Sequence, residues 1–439
     1  MNNNKELYLV SVDMGYGHQR AAYSFLDLVD GKIITANDYE GASDREKKIW
    51  KRDRENYELI SRFKKVPLLG QAVFSIMDHF QTIEPFYPRR DLSKNSFQQK
   101  HFFKKVKRGL GRNLIEELNK NPLPLLTTFF LPVYFAEYYK YKGPVYCVCC
   151  DADVSRAWAP LNPKESSVKY LAPNQRVKDR LLLYGVKEEN IYVTGFPLPM
   201  ENIGVNEEIV KQDLIKRLAV LDPSHAYRNR YEKLLESYLC PKEEIGEASR
   251  PLSLAFAVGG AGAQKELGQI LLERLAPKIK SGDLKFTLVA GSRLDVYNFF
   301  QDVLKKNSLS EHEGVKIIYN PDKMKYFSEF NLSLRETDIL WTKPSELSFY
   351  SGLGIPIIIA EPIGSQEDYN RRWLLGIGSG VDSKNPENVE EWLFDFLNSS
   401  WLAEAAMNGF LKAPKMGTYN IRNLILKGEV EEIGQVRIM

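Results

Sequence analysis

The chain has 439 residues, 44% of them hydrophobic, and a formal net charge of +3. That length argues for two domains with substantial cores, and so small a charge gives no bulk argument for nucleic acid. No run of eighteen apolar residues is present to span a membrane, and MNNNKELYLV lacks a secretory pattern, so a cytoplasmic location is expected.

The apolar run Leu7–Val12 reads as a buried strand. It enters "MGYGHQRAA", where Gly15 and Gly17 would let the backbone approach a ligand. His18 falls at the start of a helix. There the helix dipole favours a neutral imidazole that can act as a base. The turn lacks the third glycine of a dinucleotide fingerprint and the Lys-Ser/Thr of a P-loop. A tight turn with a satisfied histidine is the plainer alternative.

Further strands are expected at Lys32–Thr35, Leu125–Phe130, Val145–Cys150, Val168–Ala172 and Tyr192–Thr194. Between the second and third lies a basic stretch, 87–112, with nine Lys and Arg against Asp91 and with Phe97, Phe102 and Phe103 interleaved. It follows the amphipathic "VPLLGQAVFSIMDHF". A solvated helix face is the bland reading; a surface for anionic lipid is the other. No nucleic-acid motif accompanies it.

The fourth strand ends in "CVCCDADVSRAWAP". Zinc would want spaced pairs and nearby histidines, so buried thiols are expected and no metal. Asp151 and Asp153 stand at a strand's carboxyl end, where open α/β sheets place ligands. Either could act as a base, and Trp158 could stack on a substrate. An N-cap and a packing tryptophan are the structural alternatives.

Residues 200–250 are polar and helical in pattern and read as a linker with inserted helices. A second series of strands follows: Leu252–Val258, Lys285–Ala290, Val315–Tyr319, Ile339–Thr342 and Ile355–Ala360. Its first strand runs into "GGAG", with Gly259, Gly260 and Gly262 suited to phosphate or to close helix packing. After the fourth, Thr342, Lys343 and Pro344 lead to Ser345 and Glu346, where Ser345 or Ser348 would cap a helix whose amino end could hold a diphosphate. Gln366, Glu367 and Asn370 open a later helix with side chains suited to sugar hydroxyls. Strand–helix alternation in two series implies two doubly wound parallel-sheet domains, 1–199 and 251–439.

These pieces, in this order, resemble the GT-B glycosyltransferases. The similar group contains monogalactosyldiacylglycerol synthase, diacylglycerol glucosyltransferases and the lipid-linked N-acetylglucosaminyltransferase of peptidoglycan synthesis. "DMGYGHQRAA" is similar to their Gly-x-Gly-His turn, "CDADVSRAWAP" to their Thr-Asp run before a Trp, and "AVGGAGAQ" to their second glycine loop. "TKPSELSFYSGLGIPIII" and "GSQEDYNRRWLLGIGSG" resemble the donor-site helix and the Gln-Glu-x-x-Asn loop.

The resemblance implies two Rossmann-like domains facing a cleft, with a nucleotide sugar, usually UDP-linked, held by residues 251–439. It implies inverting transfer to an acceptor hydroxyl, lipid-linked in several of the group, without a required cofactor or metal. It places His18 at an acceptor-side catalytic position, Gly15, Gly17 and Trp158 on the acceptor side, and Gly259, Gly260 and Gly262 on the diphosphate. Gln366 and Glu367 fall on the donor sugar. A peripheral position on the inner membrane face accompanies the lipid reading.

The chain also departs from the pattern. Ser345 and Glu346 replace two glycines, and Phe349 or Ser351 stands where a ribose-binding glutamate is usual. Either Glu346 takes that contact or the nucleotide is held differently. Ser155 and Phe129-Phe130 replace acceptor-side histidine positions. A non-catalytic nucleotide-sugar-binding protein and a sugar-nucleotide 2-epimerase are the competing readings.

Overall fold

A computed structural model of the chain describes residues 6–52, 83–260, 262–362 and 365–429. The amphipathic stretch 66–80 and Ala261 lie outside the described residues.

All eleven expected strands are present, several of them trimmed by one to three residues. In the first series these are β1 (Tyr8–Ser11), β2 (Ile34–Thr35), β3 (Leu125–Thr127), β4 (Val145–Val148), β5 (Lys169–Ala172) and β6 (Ile191–Val193). The second series is β7 (Leu252–Ala257), β8 (Leu284–Gly291), β9 (Val315–Tyr319), β10 (Ile339–Thr342), β11 (Ile357–Ile359) and β12 (Gly380–Asp382). β12 is the strand that sequence reading missed. Its "SGVD" follows a glycine-rich helix end and is too short to show a period of its own.

Each series forms one six-stranded sheet, and every pairing is parallel. The central strands read as near-continuous apolar runs because helices cover both faces. The first sheet has the order β2-β1-β3-β4-β5-β6 and the second β12-β11-β10-β7-β8-β9. The second is the strand order of the Rossmann fold, counted from β7. Two Rossmann-like α/β domains in one chain are the content of the GT-B fold that the motifs imply.

In open sheets of this kind ligands settle beyond the carboxyl ends of the strands, where the order reverses. In the first sheet that point lies between β1 and β3. In the second it lies between β7 and β10. The segments leaving those four strands therefore define where to look.

The chain divides into two compact units. One comprises Met1–Leu198, Ile363–Asn370 and Met416–Met439, the other Pro199–Pro362 and Arg371–Lys415. This departs from the boundaries read in the sequence. The final helix, Gly417–Lys427, packs in the first unit. A Cβ on Gly417 would stand 2.2 Å from the Phe196 carbonyl oxygen, and Asn420 donates to the carbonyl of Thr194 at 2.9 Å.

The 200–250 stretch, read as a linker with inserted helices, carries helices that group with the second unit. Its helix Glu208–Leu221 is an integral part of the second unit, anchored by Arg217. That guanidinium, 1% exposed, donates to the carbonyls of Thr337 (2.8 Å), Leu353 (2.9 Å), Leu334 and Gly354 (both 3.2 Å). A buried cation serving carbonyls leaves no trace in hydrophobic periodicity, so the helix looked solvated.

The basic stretch contains the helix Phe97–Lys107, opened by a capping box between Ser96 and Gln99. Phe97, Lys100, His101, Lys104, Lys107 and Arg108 are exposed along it. Among the described residues no helix is long and apolar enough to cross a membrane. The four cysteines are buried and form no disulfide, and burial pushes the Cys147 and Cys149 thiols up.

Candidate active site

After β1 the chain turns at Gly15, whose φ of 103° lies where a side chain is strained. A Cβ there would meet nothing within 4 Å, so the turn itself, not crowding, demands the glycine. The helix Tyr16–Tyr23 begins at once, with Gly17 second and His18 third. After β3, Thr128 donates its hydroxyl to the His18 carbonyl at 2.8 Å. Phe129 meets the imidazole edge-on, with centroids 4.7 Å apart.

The His18 ring is half-buried, and its Nδ1 has no solvent contact and no hydrogen-bond partner among the described residues. Burial lowers its pKa from 6.5 to about 4, against a smaller opposing contribution from the Thr128 backbone. The ring is neutral at pH 7, as expected, but burial dominates where the sequence pointed to the helix dipole.

A stability effect follows from linkage. Between pH 6.5 and 4 the unfolded chain takes a proton that the folded ring refuses. The ring's contribution is therefore complete above pH 6.5 and is lost as pH falls towards 4, by roughly 3 kcal/mol. In urea titrations His18→Gln should flatten that part of the pH–stability curve; parallel curves for the two proteins would contradict it.

Trp158, open to stacking or to packing in the sequence, packs among aromatic side chains. It is 2% exposed and lies 5.8 and 6.2 Å from Phe130 and Phe129. Those phenylalanines and Trp158 form the apolar backing of the His18 turn.

Asp153 is engaged by arginines. It is 1% exposed. Arg180 binds it through Nε to Oδ1 and Nη2 to Oδ2, both at 2.8 Å. Arg176 adds Nε to Oδ2 at 3.0 Å, and the Val154 amide reaches Oδ1 at 2.9 Å. With both oxygens so engaged it is the counter-ion of a buried arginine and is not placed to accept a proton from a substrate.

Asp151 is half-buried, and its Oδ1 accepts from Asn370 Nδ2 at 3.0 Å. Asn370 Oδ1 accepts the Ala152 amide at 2.7 Å. Asn370, expected on the donor sugar, is instead fully buried and groups with the first unit. Gln366 and Glu367 are half-buried in the first turn of its helix, Ser365–Ile377.

In the second unit the segments after β7 and β10 meet. A Cβ on Gly259 would stand 2.5 Å from Lys343 Cε and 3.5 Å from its Nζ. The lysine therefore lies across the glycine loop, and only glycine leaves it room. Gly260 continues the turn. At Gly262, where φ is 71°, a Cβ would stand 3.7 Å from Arg293 Cζ. Asp295 fixes that guanidinium through Nε at 2.9 Å, and the pairing holds the Asp295 carboxyl below its usual range.

The 16-residue helix Lys265–Lys280 follows, with no side-chain cap on its first amides. Loop amides, a helix amino end, Lys343 and Arg293 together suit a diphosphate. Arg293 escaped the sequence reading. Its signal was its place after β8, the strand beside β7.

Beyond β10, Thr342 is buried, with its hydroxyl bonded to the Ala257 carbonyl at 3.3 Å. Lys343 and Pro344 lead to the 3₁₀ segment Glu346–Leu353 in place of the expected helix. Ser345 makes no side-chain cap, and Ser348 is buried within the segment. The segment is sunk because Gly409 brings the helix Trp401–Lys412 against it. A Cβ there would stand 2.3 Å from the Ser351 carbonyl oxygen. Phe349 is 1% exposed, 5.0 Å from the Trp373 ring, and Ser351 is fully buried. Glu346, 9% exposed, is the acidic side chain at the start of the segment.

Among the described residues no group of three or more His, Cys, Asp or Glu is placed to hold a metal ion.

A family model described as a domain of unknown function, DUF6938, matches residues 295–423. The processive diacylglycerol beta-glucosyltransferase of Bacillus licheniformis is 23% identical, over 99% of this chain and 94% of its own length. Its Bacillus pumilus namesake is 22% identical, over 90% and 88%. The chain resembles these glucosyltransferases along most of its length. Among solved structures, the S. aureus MnaA–UDP complex aligns with a TM-score of 0.49 at 12% identity, covering 98% of this chain and 99% of that one.

Proposed function

We propose that the chain is a glycosyltransferase that moves a sugar from a UDP-sugar to an acceptor hydroxyl, with inversion. The observation that carries this is the second unit's switch point, where Lys343 and Arg293 flank the Gly259–Gly262 loop ahead of an uncapped helix. Two cations and a row of amides neutralise a leaving diphosphate without a metal ion. Glu346 takes the ribose hydroxyls in place of the missing glutamate, and Gln366 and Glu367 bind the donor sugar. The similarity to diacylglycerol glucosyltransferases supports a lipid acceptor.

In the first unit, His18 and Asp151 are the groups able to take the acceptor's proton. The exposed Phe97, Lys100, Lys104 and Lys107 give this unit a face with which to rest on an anionic bilayer, so the protein works in the cytoplasm at the membrane surface. No nucleic-acid partner is invoked.

The donor site is tested by binding. UDP and UDP-sugars should raise the melting temperature of the full chain. Gly259→Ala should abolish most of that rise and raise the donor Kd about tenfold or more, because the new Cβ displaces the lysine. The clash is with the end of a flexible side chain, so the melting temperature without ligand should hold. No rise with any nucleoside diphosphate, or binding untouched by Gly259→Ala, would count against this site.

A further inference from the structure

Asn370 is fully buried, yet each polar atom of its carboxamide has a partner in the turn after β4. The chemistry of those partners fixes which way the amide faces. The Ala152 amide can only donate, so the atom 2.7 Å from it is Oδ1. That leaves Nδ2 towards Asp151, 3.0 Å from Oδ1 of a carboxylate that accepts in its ionised form.

The same turn is gripped from its other side. Asn174 donates to the Ala152 carbonyl at 3.1 Å while its own Oδ1 caps the helix Gln175–Leu183 at the Val177 amide. Residue 153 is held by the arginines. Residues 151–153 are thus a rigid mount, and Asp151 is its half-buried carboxylate.

We infer that Asn370 is a positioning residue that holds the Asp151 carboxylate, ionised and in one rotamer, as the base of the transfer reaction. This rests on the glycosyltransferase reading. The acceptor oxygen forms its bond to the anomeric carbon and gives its proton to Asp151. The bond from that carbon to the phosphate oxygen breaks, and its electron pair leaves with the nucleoside diphosphate. Gln366 and Glu367 sit one turn earlier on the helix that carries Asn370, so one helix serves both the sugar and the base. Among the titratable groups facing Asp151 is the Cys149 thiol, which it helps push up, and Asp153 with Arg176 and Arg180 stands two residues on in the same turn.

The test compares Asn370→Ala and Asn370→Asp with the full-length wild type. Transfer kinetics are followed across pH, beside a carboxyl 13C titration in which Asp151→Asn identifies the Asp151 signal. Asn370→Ala should lower kcat by up to about a hundredfold with donor KM nearly unchanged. The acid limb of kcat/KM should move to higher pH, and the Asp151 signal should move with it. Asn370→Asp keeps an acceptor for the Ala152 amide and is nearly isosteric, so it guards against misfolding. It sets a second carboxylate beside the first and should move both readouts further. A raised donor KM with an unmoved acid limb would return Asn370 to the sugar and overturn the inference, as would an Asp151 signal indifferent to both variants. Wild type without transfer on any UDP-sugar, but with a 13C shift in the variants, would sink the glycosyltransferase reading and the base with it, leaving only the structural coupling.

Discussion

Asp153→Ala is expected to destabilise the protein by about 3–5 kcal/mol, the cost of leaving a buried charge unpaired. Arg180 is fully buried and makes its two ion-pair bonds to this carboxylate at 2.8 Å. Its Nη1 donates to the Glu84 carbonyl, a neutral acceptor. Arg176, packed 3.8 Å from the Phe86 ring centroid, loses the same partner. Removing both charges together, in Asp153→Leu with Arg180→Met, should recover much of the loss, since well-packed apolar groups often replace a buried pair at little cost. Urea unfolding of the two variants beside the wild type measures this. Asp153→Asn separates structure from catalysis. A stable Asn variant with kcat reduced a hundredfold would restore Asp153 as the base.

Asp151→Asn should have the larger effect on catalysis, lowering kcat by about 10²–10⁴, the usual contribution of a general base. Donor affinity should hold, because the proposed diphosphate site, made of Lys343, Arg293 and the loop amides, is left untouched. The amide can neither accept the hydroxyl's proton nor answer the Asn370 N–H as a carboxylate does. His18→Gln should cost less in rate, since Nδ1 of the ring is sealed from solvent whereas Asp151 is only half-buried. Equal losses from the two variants would point to a pair acting together; a larger loss from His18→Gln would exchange their roles.

The strands were legible because each is a short apolar run bounded by turn residues, and β1 and β7 each end in a glycine turn that only a strand-to-helix junction explains. The glycine loop after β7 was legible for the same reason. The roles of the aspartates were not. Asp151 and Asp153 are the same residue type two positions apart, and which is bonded to arginine depends on a helix more than twenty residues later in the chain. Trp158 looked like a platform because it follows two aspartates at a strand's carboxyl end, whereas its neighbours in space are Phe129, Phe130 and His18. Arg217 and Gly409 explain why the segment after Pro344 is buried, and both lie far from it in sequence. Local pattern shows where a strand ends; it does not show which side chains reach that end from elsewhere.

The most direct test incubates the full chain with radiolabelled UDP-sugars and vesicles of diacylglycerol in an anionic phospholipid, and extracts the lipid. A labelled glycolipid, absent with Lys343→Ala and with Asp151→Asn, is the expected result. Label that never leaves the nucleotide, with UDP-sugars binding no better than inorganic phosphate, would contradict it.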